Sequence, residues 1–321
     1  YVGVHVAYNT KQPGLVLENL SAGYQKKIIV DDISLAIPQQ KITVLVGANG
    51  CGKSTIGRTV LRLIPHTSGE VHYKGENILA CSPARLRSLR RQIQIIFQDP
   101  YSCLDPRKTI GQIISEPLII NRLAGKKELN AKVLDLMSKG GVSRKLYNAY
   151  PHELDGGRRQ RVGIIRALAM NPEFIVCDEP VSSLDVSIQA QILNLLQEMQ
   201  ENMGLTYLFI SHDLSVVRHI SNRIIVMYLG KIVEICRSRE LFANPVHPYT
   251  RALLSAVPIA KYNYNRREQI LLKGDVPSPV NPRPGCRFAN RCWMAKEICH
   301  QETPELKNVG TDHQAACHFV G

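Results

Sequence analysis

The sequence predicts an α/β fold: a parallel sheet with helices between its strands, a helical insertion, and an irregular Cys-rich C-terminal extension. Three observations lead there. Short β-branched apolar runs end at glycine, proline or acidic residues. Stretches with helical spacing lie between those runs. Cys286, Cys292, Cys299 and Cys317 crowd the C-terminal segment.

In chain order, "KITVLVG" (Lys41–Gly47) reads as a buried strand, and "KSTIGRTVLRLI" after it has the period of a helix. From about 101 to 171 the strand signals fade and helical periodicity dominates. "EFIVCDEP" (Glu173–Pro180) is a second buried strand, stopped by proline. "SIQAQILNLLQEMQENM" reads as a helix, and "LTYLFISHD" (Leu205–Asp213) as a third strand. After about Pro245 the composition turns to Pro, Cys and His, as in "NPVHPYTRALL" and "GDVPSPVNPRPGCRF". The expected organisation is a core over 1–100 and 172–245, a helical subdomain over 101–171, and an extension over 246–321.

With 321 residues and 44% hydrophobic content, the chain has ample material for a core. No run approaches the roughly 18 apolar residues of a membrane-spanning helix. No basic-then-apolar leader is read, so a cytosolic setting is expected. The formal charge of +13 raises the question of nucleic acid. The Lys and Arg residues are scattered, however, and no RNA-binding aromatic pattern accompanies them, so no nucleic-acid partner is expected. A phosphate-binding protein near an anionic membrane surface accounts for the same charge. In a cytosolic setting, the clustered cysteines point to a metal rather than to disulfides.

The chemistry concentrates in two places. "GANGCGKST" (Gly47 to Thr55) fits the phosphate-loop pattern Gly-x4-Gly-Lys-Ser between a strand and a helix. Its glycines, Gly47, Gly50 and Gly52, let the backbone curl so that N–H groups, including those of Asn49 and Cys51, surround phosphates. Lys53 suits the β- and γ-phosphates, and Ser54, followed by Thr55, supplies a hydroxyl to Mg²⁺. Asp178 and Glu179 end the run "FIVC" and so fall at the carboxyl edge of the sheet, where α/β folds bind ligands. Asp178 suits an Mg²⁺ role and Glu179 a general base for water.

With these residues in order, the chain resembles the ATP-binding subunit of ATP-binding-cassette transporters over most of its length. Gln98 in "IIFQDP" resembles the Q-loop residue, "SSLD" ending at Asp185 the D-loop, and His212 in "ISHD" the switch histidine. Tyr24 in "SAGY" resembles the aromatic that stacks on adenine. The resemblance implies a RecA-like P-loop NTPase core, ATP and Mg²⁺ as cofactors, and Ser54, Gln98 and Asp178 around the metal. It also implies catalysis by Glu179, His212 and Gln98.

"LDGGR" (Leu154 to Arg158) stands where the family's signature loop usually reads Leu-Ser-Gly-Gly-Gln. In the family, two subunits meet head to tail, and each signature loop covers the ATP held by the other. Asp155, Gly156 and Gly157 would face the partner's nucleotide. A carboxylate about 4 Å from a phosphate charge costs about 4 kcal/mol at an effective dielectric of 20. Alternatively, Asp155 turns into a local cap and the backbone N–H groups still suffice, with Arg158 pairing with Asp155 or reaching the phosphate and offsetting part of the charge.

"NPVHPYTRALLSAVP" closely resembles the C-terminal extension of the oligopeptide, dipeptide and nickel importer ATPases. In that group a "GCRFANRC" ending recurs, and some members carry a [4Fe–4S] cluster there. Cys286, Cys292, Cys299 and Cys317 match the ligand count of such a cluster, or of a zinc site, or remain reduced thiols. The resemblance implies an importer ATPase at the cytoplasmic face of the membrane. Its expected partners are a second, non-identical ATPase subunit, two membrane permease subunits and an extracellular or periplasmic substrate-binding protein. Oligopeptides or dipeptides are the expected cargo, with nickel or a metal chelate as the alternative. A soluble non-transport cassette ATPase is the weaker rival, since neither a long coiled-coil insertion nor a second fused cassette is present.

Overall fold

The computed structural model describes residues 13–25, 27–257, 269–275, 277–280 and 282–320. Residues 1–12, on which the reading of no leader partly rests, lie outside them. The chain divides into two compact units, one of residues 1–80 and 211–321, the other of 81–210.

The first unit begins with β1 (Pro13–Tyr24), β2 (Lys27–Pro38), β3 (Ile42–Val46), α1 (Lys53–Val60), β4 (His66–Tyr73) and β5 (Glu76–Asn77). The second holds α2 (Pro83–Gln92), β6 (Ile93–Ile96), α3 (Pro100–Cys103), α4 (Ile110–Ile120), α5 (Lys126–Lys139), α6 (Gly156–Leu168), β7 (Phe174–Asp178), α7 (Val186–Met203) and β8 (Thr206–Ser211). The chain then returns to the first unit as α8 (Leu214–Ile220), β9 (Arg223–Tyr228), β10 (Lys231–Arg237), α9 (Ser238–Ala243), α10 (Pro248–Ser255), α11 (Glu297–Gln301), β11 (Lys307–Gly310) and β12 (His313–Ala315).

In the first unit, β2, β1, β4 and β5 form an antiparallel sheet in that order. A second sheet of that unit runs β11-β12-β10-β9-β3, with β3 parallel to β9. Every residue of β3 is buried, as expected of a strand covered on both faces. The β9–β10 hairpin turns through Leu229 and Gly230, both at positive φ (42° and 78°). Two such residues make the type I′ turn, whose twist matches that of its strands. A Cβ at Gly230 would lie 2.0 Å from the Ile29 carbonyl oxygen, so glycine is required there by contact as well as by φ.

The second unit has a parallel sheet, β6-β7-β8, with Ile96 opposite Cys177 and Asp178 opposite Ile210. Between β6 and β7 the described residues are helical or looped, without a strand. Ile110, Ile113, Ile114 and Leu118 line one side of α4, at the spacing that puts residues on one helical face. They bury against Val133 and Met137 of α5 and Val162 and Ile165 of α6. Each fully buried aliphatic side chain of this kind contributes about 1.5–3 kcal/mol. Thr109 and Gln112 close the start of α4 as a reciprocal capping box.

Much of the described C-terminal segment is irregular, in line with its composition, but it is tied to the rest of the first unit at two points. Its strand β12 pairs with β10, and α10 is fixed through a buried carboxylate. Glu234 on β10, fully buried, accepts the N–H groups of Val246 (2.9 Å) and His247 (3.0 Å) and faces His313 Nε2 of β12 at 2.7 Å. Burial alone would raise the pKa of Glu234; the hydrogen bonds from His313, Val246 and His247 outweigh it and hold the carboxyl below its ordinary value. The composition missed this because Pro, Cys and His score poorly for regular structure, whereas here a pairing partner and a buried acceptor order them.

Candidate functional site

The phosphate loop follows β3 directly. Gly50 and Gly52 have φ of 78° and 99°, a left-handed backbone that glycine adopts without a Cβ clash. At Gly47 a Cβ would stand 2.3 Å from the Met227 carbonyl oxygen, and at Gly52 it would stand 2.7 Å from Val30 Cγ2. The glycines therefore answer to neighbouring backbone and side chains as well as to the loop's curl. No side chain caps α1 at Gly52, which leaves the helix N-terminus, with its partial positive charge, open toward the loop.

Lys53 is the first residue of α1 and is 4% exposed. Its Nζ donates to the carbonyls of Gly47 (2.7 Å) and Ala48 (3.1 Å), so the ammonium pins the loop it belongs to. The N–H of Gly230 at the β9–β10 turn donates to the Cys51 carbonyl at 3.0 Å, a second brace. Burial pushes the Cys51 thiol above its ordinary pKa despite the opposing charge of Lys53, so it stays protonated. Ser54 and Thr55 occupy the first turn of α1, with Thr55 buried, and Asn49 and Gly50 lie at the exposed crest of the loop. Elsewhere in this unit Tyr24 ends β1 with 41% exposure, and His212 is exposed just before α8.

In the second unit the parallel strands β6 and β7 end side by side, which brings Gln98 and Glu179 together: Gln98 Nε2 donates to Glu179 Oε2 at 3.3 Å. Asp178 is 1% exposed at the end of β7. Glu179 has φ 47°, a left-handed backbone that costs a non-glycine residue about 1 kcal/mol. Its N–H still donates to Ile210 of β8 at 3.1 Å, so the chain turns at this residue without leaving the sheet edge. The sequence announced the carboxylate but carries no signal for the strained backbone. Asp185 is the N-cap residue of α7 and makes no side-chain cap hydrogen bond.

Asp155 is the N-cap of α6. Its Oδ1 accepts the Arg158 N–H at 2.7 Å, and its Oδ2 lies 3.4 Å from Arg158 Nε. Of the two roles open to the sequence, this geometry is that of the local cap, with Arg158 offsetting the charge. Gly157 packs against α7, where a Cβ would fall 2.6 Å from Ile188 Cγ2. Arg159, next in line, donates to the Pro151 carbonyl (2.6 Å) and lies 4.2 Å from the Tyr101 ring centroid.

All nine cysteines are free thiols. The four C-terminal ones are neighbours: Cys286 has its pKa pushed up to about 11 by burial, with Cys299, Cys317 and Cys292 adding to the rise. The Cys286 N–H donates to the Cys299 carbonyl at 2.7 Å. Gly285, at φ 86°, lets the two segments approach, since a Cβ there would stand 2.4 Å from that same carbonyl. No three of these four sulfurs lie within 4.8 Å of one another, so the thiols are near neighbours without forming a closed ligand set. Among the described residues, the groups whose ligand atoms all lie within 4.8 Å of one another are Glu234–Cys236–His313 and Glu18–Glu70–His72. The first is occupied by its own hydrogen bonds, as described above, and Cys236 is held as a thiol by burial.

The phosphate loop, a glycine-rich turn between β3 and α1 with Lys53 and Ser54 after it, marks a P-loop nucleotide-binding protein. Residues 30–182 match the family model "ABC transporter", and residues 233–299 match "Oligopeptide/dipeptide transporter, C-terminal region". The chain is 50% identical over 302 residues to the Oligopeptide transport ATP-binding protein AppF of Bacillus subtilis, covering 92% of each chain. It is 46% identical to the Dipeptide transport ATP-binding protein DppF of Haemophilus influenzae, over 95% of this chain and 93% of that one. Among solved structures, cbiO1 from Clostridium perfringens, part of the ABC transporter complex cbiONQ, superposes with a TM-score of 0.67 at 28% identity, covering 73% of this chain and 92% of that one. The ATP-binding cassette MJ0796, a dimer bound to ADP and Pi, superposes with a TM-score of 0.63 at 28% identity, covering 70% and 99%. The chain belongs to the ABC transporter family and is an ATPase subunit of it. Among the described residues no helix is long and apolar enough to cross a membrane.

Proposed function

We propose that this chain binds and hydrolyses ATP at the cytoplasmic face of a membrane to power import of oligopeptides or dipeptides. The observation that carries the peptide reading is the match of residues 233–299 to the C-terminal region of oligopeptide and dipeptide transporters. The named activities of the relatives point the same way. The membrane partners are two permease subunits, and the cargo arrives on a separate binding protein. Ile119 and Ile120 of α4, 56% and 72% exposed, offer such partners apolar contact.

In the site itself, backbone N–H groups of 47–55 cradle the phosphates, and Lys53 turns from its loop carbonyls to the β- and γ-oxygens. Tyr24 stacks on adenine. Mg²⁺, held through Ser54, Asp178 and Gln98, supplies charge neutralisation on the β- and γ-phosphates when bound. Glu179 accepts a proton from the attacking water as the new P–O bond forms and the β–γ bridge breaks. Its hydrogen bond from Gln98 and its strained backbone aim the carboxylate. His212 steadies the γ-phosphate, and Asp185 lies at the seam with a second ATPase subunit. That subunit is not identical to this one, and Asp155, Gly156 and Gly157 cover its nucleotide. Cys286, Cys292, Cys299 and Cys317 are the residues that would hold a [4Fe–4S] cluster, or a zinc ion, which would brace a segment with little core of its own.

The test is ATP turnover by the complex reconstituted with its membrane subunits and binding protein. Loading the binding protein with di- to pentapeptides should stimulate turnover severalfold. Stimulation by a nickel chelate and not by peptide would replace the peptide reading with the metal one.

A further inference from the structure

The C-terminal extension reaches back to the phosphate loop through one hydroxyl. The N–H of Ala48 donates to Tyr249 Oη at 3.0 Å, a contact spanning 201 residues of sequence. That N–H belongs to the Gly47–Ala48 peptide, whose carbonyl accepts from Lys53 Nζ at 2.7 Å. One peptide plane is therefore held at both ends, by the loop's own ammonium and by a phenol from α10. We propose that Tyr249 is a positioning residue for ATP binding. It fixes this peptide, and with it the aim of Lys53 and of the loop N–H groups that follow.

Three features make the phenol a rigid anchor. Tyr249 is 2% exposed, and its ring lies 4.6 Å from the Tyr228 centroid and 5.4 Å from that of Phe288, which itself lies 5.2 Å from Tyr228. The start of α10 is fixed as well: His247 Nδ1 accepts the Tyr249 N–H at 3.1 Å, while Glu234 accepts the N–H groups just before it. Burial raises the Tyr249 hydroxyl above its ordinary pKa, so it stays a neutral phenol whose oxygen accepts from Ala48. Ala48 is half-buried, and an N–H that loses its acceptor there pays part of its desolvation cost unless the peptide rotates toward another.

The inference rests on the reading that residues 47–55 hold the phosphates of ATP. Lys53→Ala, which tests that reading separately, should weaken ATP binding on the order of a hundredfold whatever Tyr249 does. Tyr249→Phe keeps the ring in its aromatic cluster and removes only the acceptor. In the assembled complex, ATP turnover is measured against MgATP concentration for wild type and Tyr249→Phe, alongside thermal melting of the variant subunit. The expected result is a KM for ATP raised about tenfold, kcat within about twofold, and a melting temperature within a few degrees of wild type. A KM within twofold of wild type overturns the proposal. So does a fall in kcat and melting temperature at unchanged KM, which is what a purely structural tyrosine would give.

Discussion

The N-termini of α1 and α6 start from similar sequence and end in opposite states. Both follow or contain paired or near-paired glycines, and both are positions where free N–H groups and the helix dipole favour an anion. At α1 the residue before the helix is Gly52, left-handed and without a side chain, so no side chain caps the helix there. At α6 the residue before the helix is Asp155, whose carboxylate already accepts from the N–H of Arg158. One terminus is built to receive an external phosphate, and the other carries its own anion. A third terminus, at α10, is capped by a buried imidazole rather than a carboxylate. The residue at the cap, more than the glycines around it, decides what a helix N-terminus can bind.

The largest effect should come from emptying the open terminus of its cation. Lys53→Ala removes the ammonium that braces Gly47 and Ala48, and should weaken ATP binding on the order of a hundredfold, from the value of charged hydrogen bonds to phosphate. Equilibrium ATP binding to the purified subunit reads this directly. Near-normal affinity would mean that the N–H cradle suffices without the lysine.

A smaller effect separates the neutral cap of α10 from the charged cap of α6. Burial pushes the His247 pKa down from 6.5 to about 4, although the nearby Glu234 charge opposes this. A base with a depressed folded pKa stays neutral in the folded chain while the unfolded chain takes up a proton. The stability is therefore fully present above about pH 6.5 and is lost progressively as pH falls toward about 4, by about 3 kcal/mol in total. Thermal melts between pH 7.5 and 5 should fall by several degrees more for wild type than for His247→Asn, whose amide oxygen can still cap the helix. Equal slopes for the two would show that His247 is not the group responsible.

How much of this could be read beforehand follows from the range of each interaction. The strands β3, β7 and β8 were legible because each is a short β-branched run with its stop signal beside it, as in "KITVLVG" and "EFIVCDEP". The phosphate loop was legible because its function requires glycines and Lys53 at fixed local spacing. The antiparallel sheet of β1, β2, β4 and β5 was not, in part because β1 pairs with both neighbours through repeated register shifts that blur its alternation. Asp155 was half legible: its identity showed that the usual serine hydroxyl is missing, but only geometry distinguishes a carboxylate aimed outward from one folded onto Arg158. The Tyr249–Ala48 hydrogen bond was illegible in principle, since nothing local to either residue encodes a partner so far along the chain.

With Asp155 as its cap, α6 would present a partner's nucleotide with a carboxylate in place of a donor hydroxyl. We propose that, although Arg158 offsets part of this charge, the ATP site so covered works poorly and the site on this chain's own phosphate loop carries the turnover. The most direct test is ATP hydrolysis by the assembled complex carrying Glu179→Gln in this chain, with and without Asp155→Ser. Glu179→Gln should remove nearly all activity, and adding Asp155→Ser, which keeps a capping oxygen but drops the charge, should restore turnover at the partner's site. If about half the activity survives Glu179→Gln with Asp155 intact, both sites fire, and the carboxylate at α6 closes nothing.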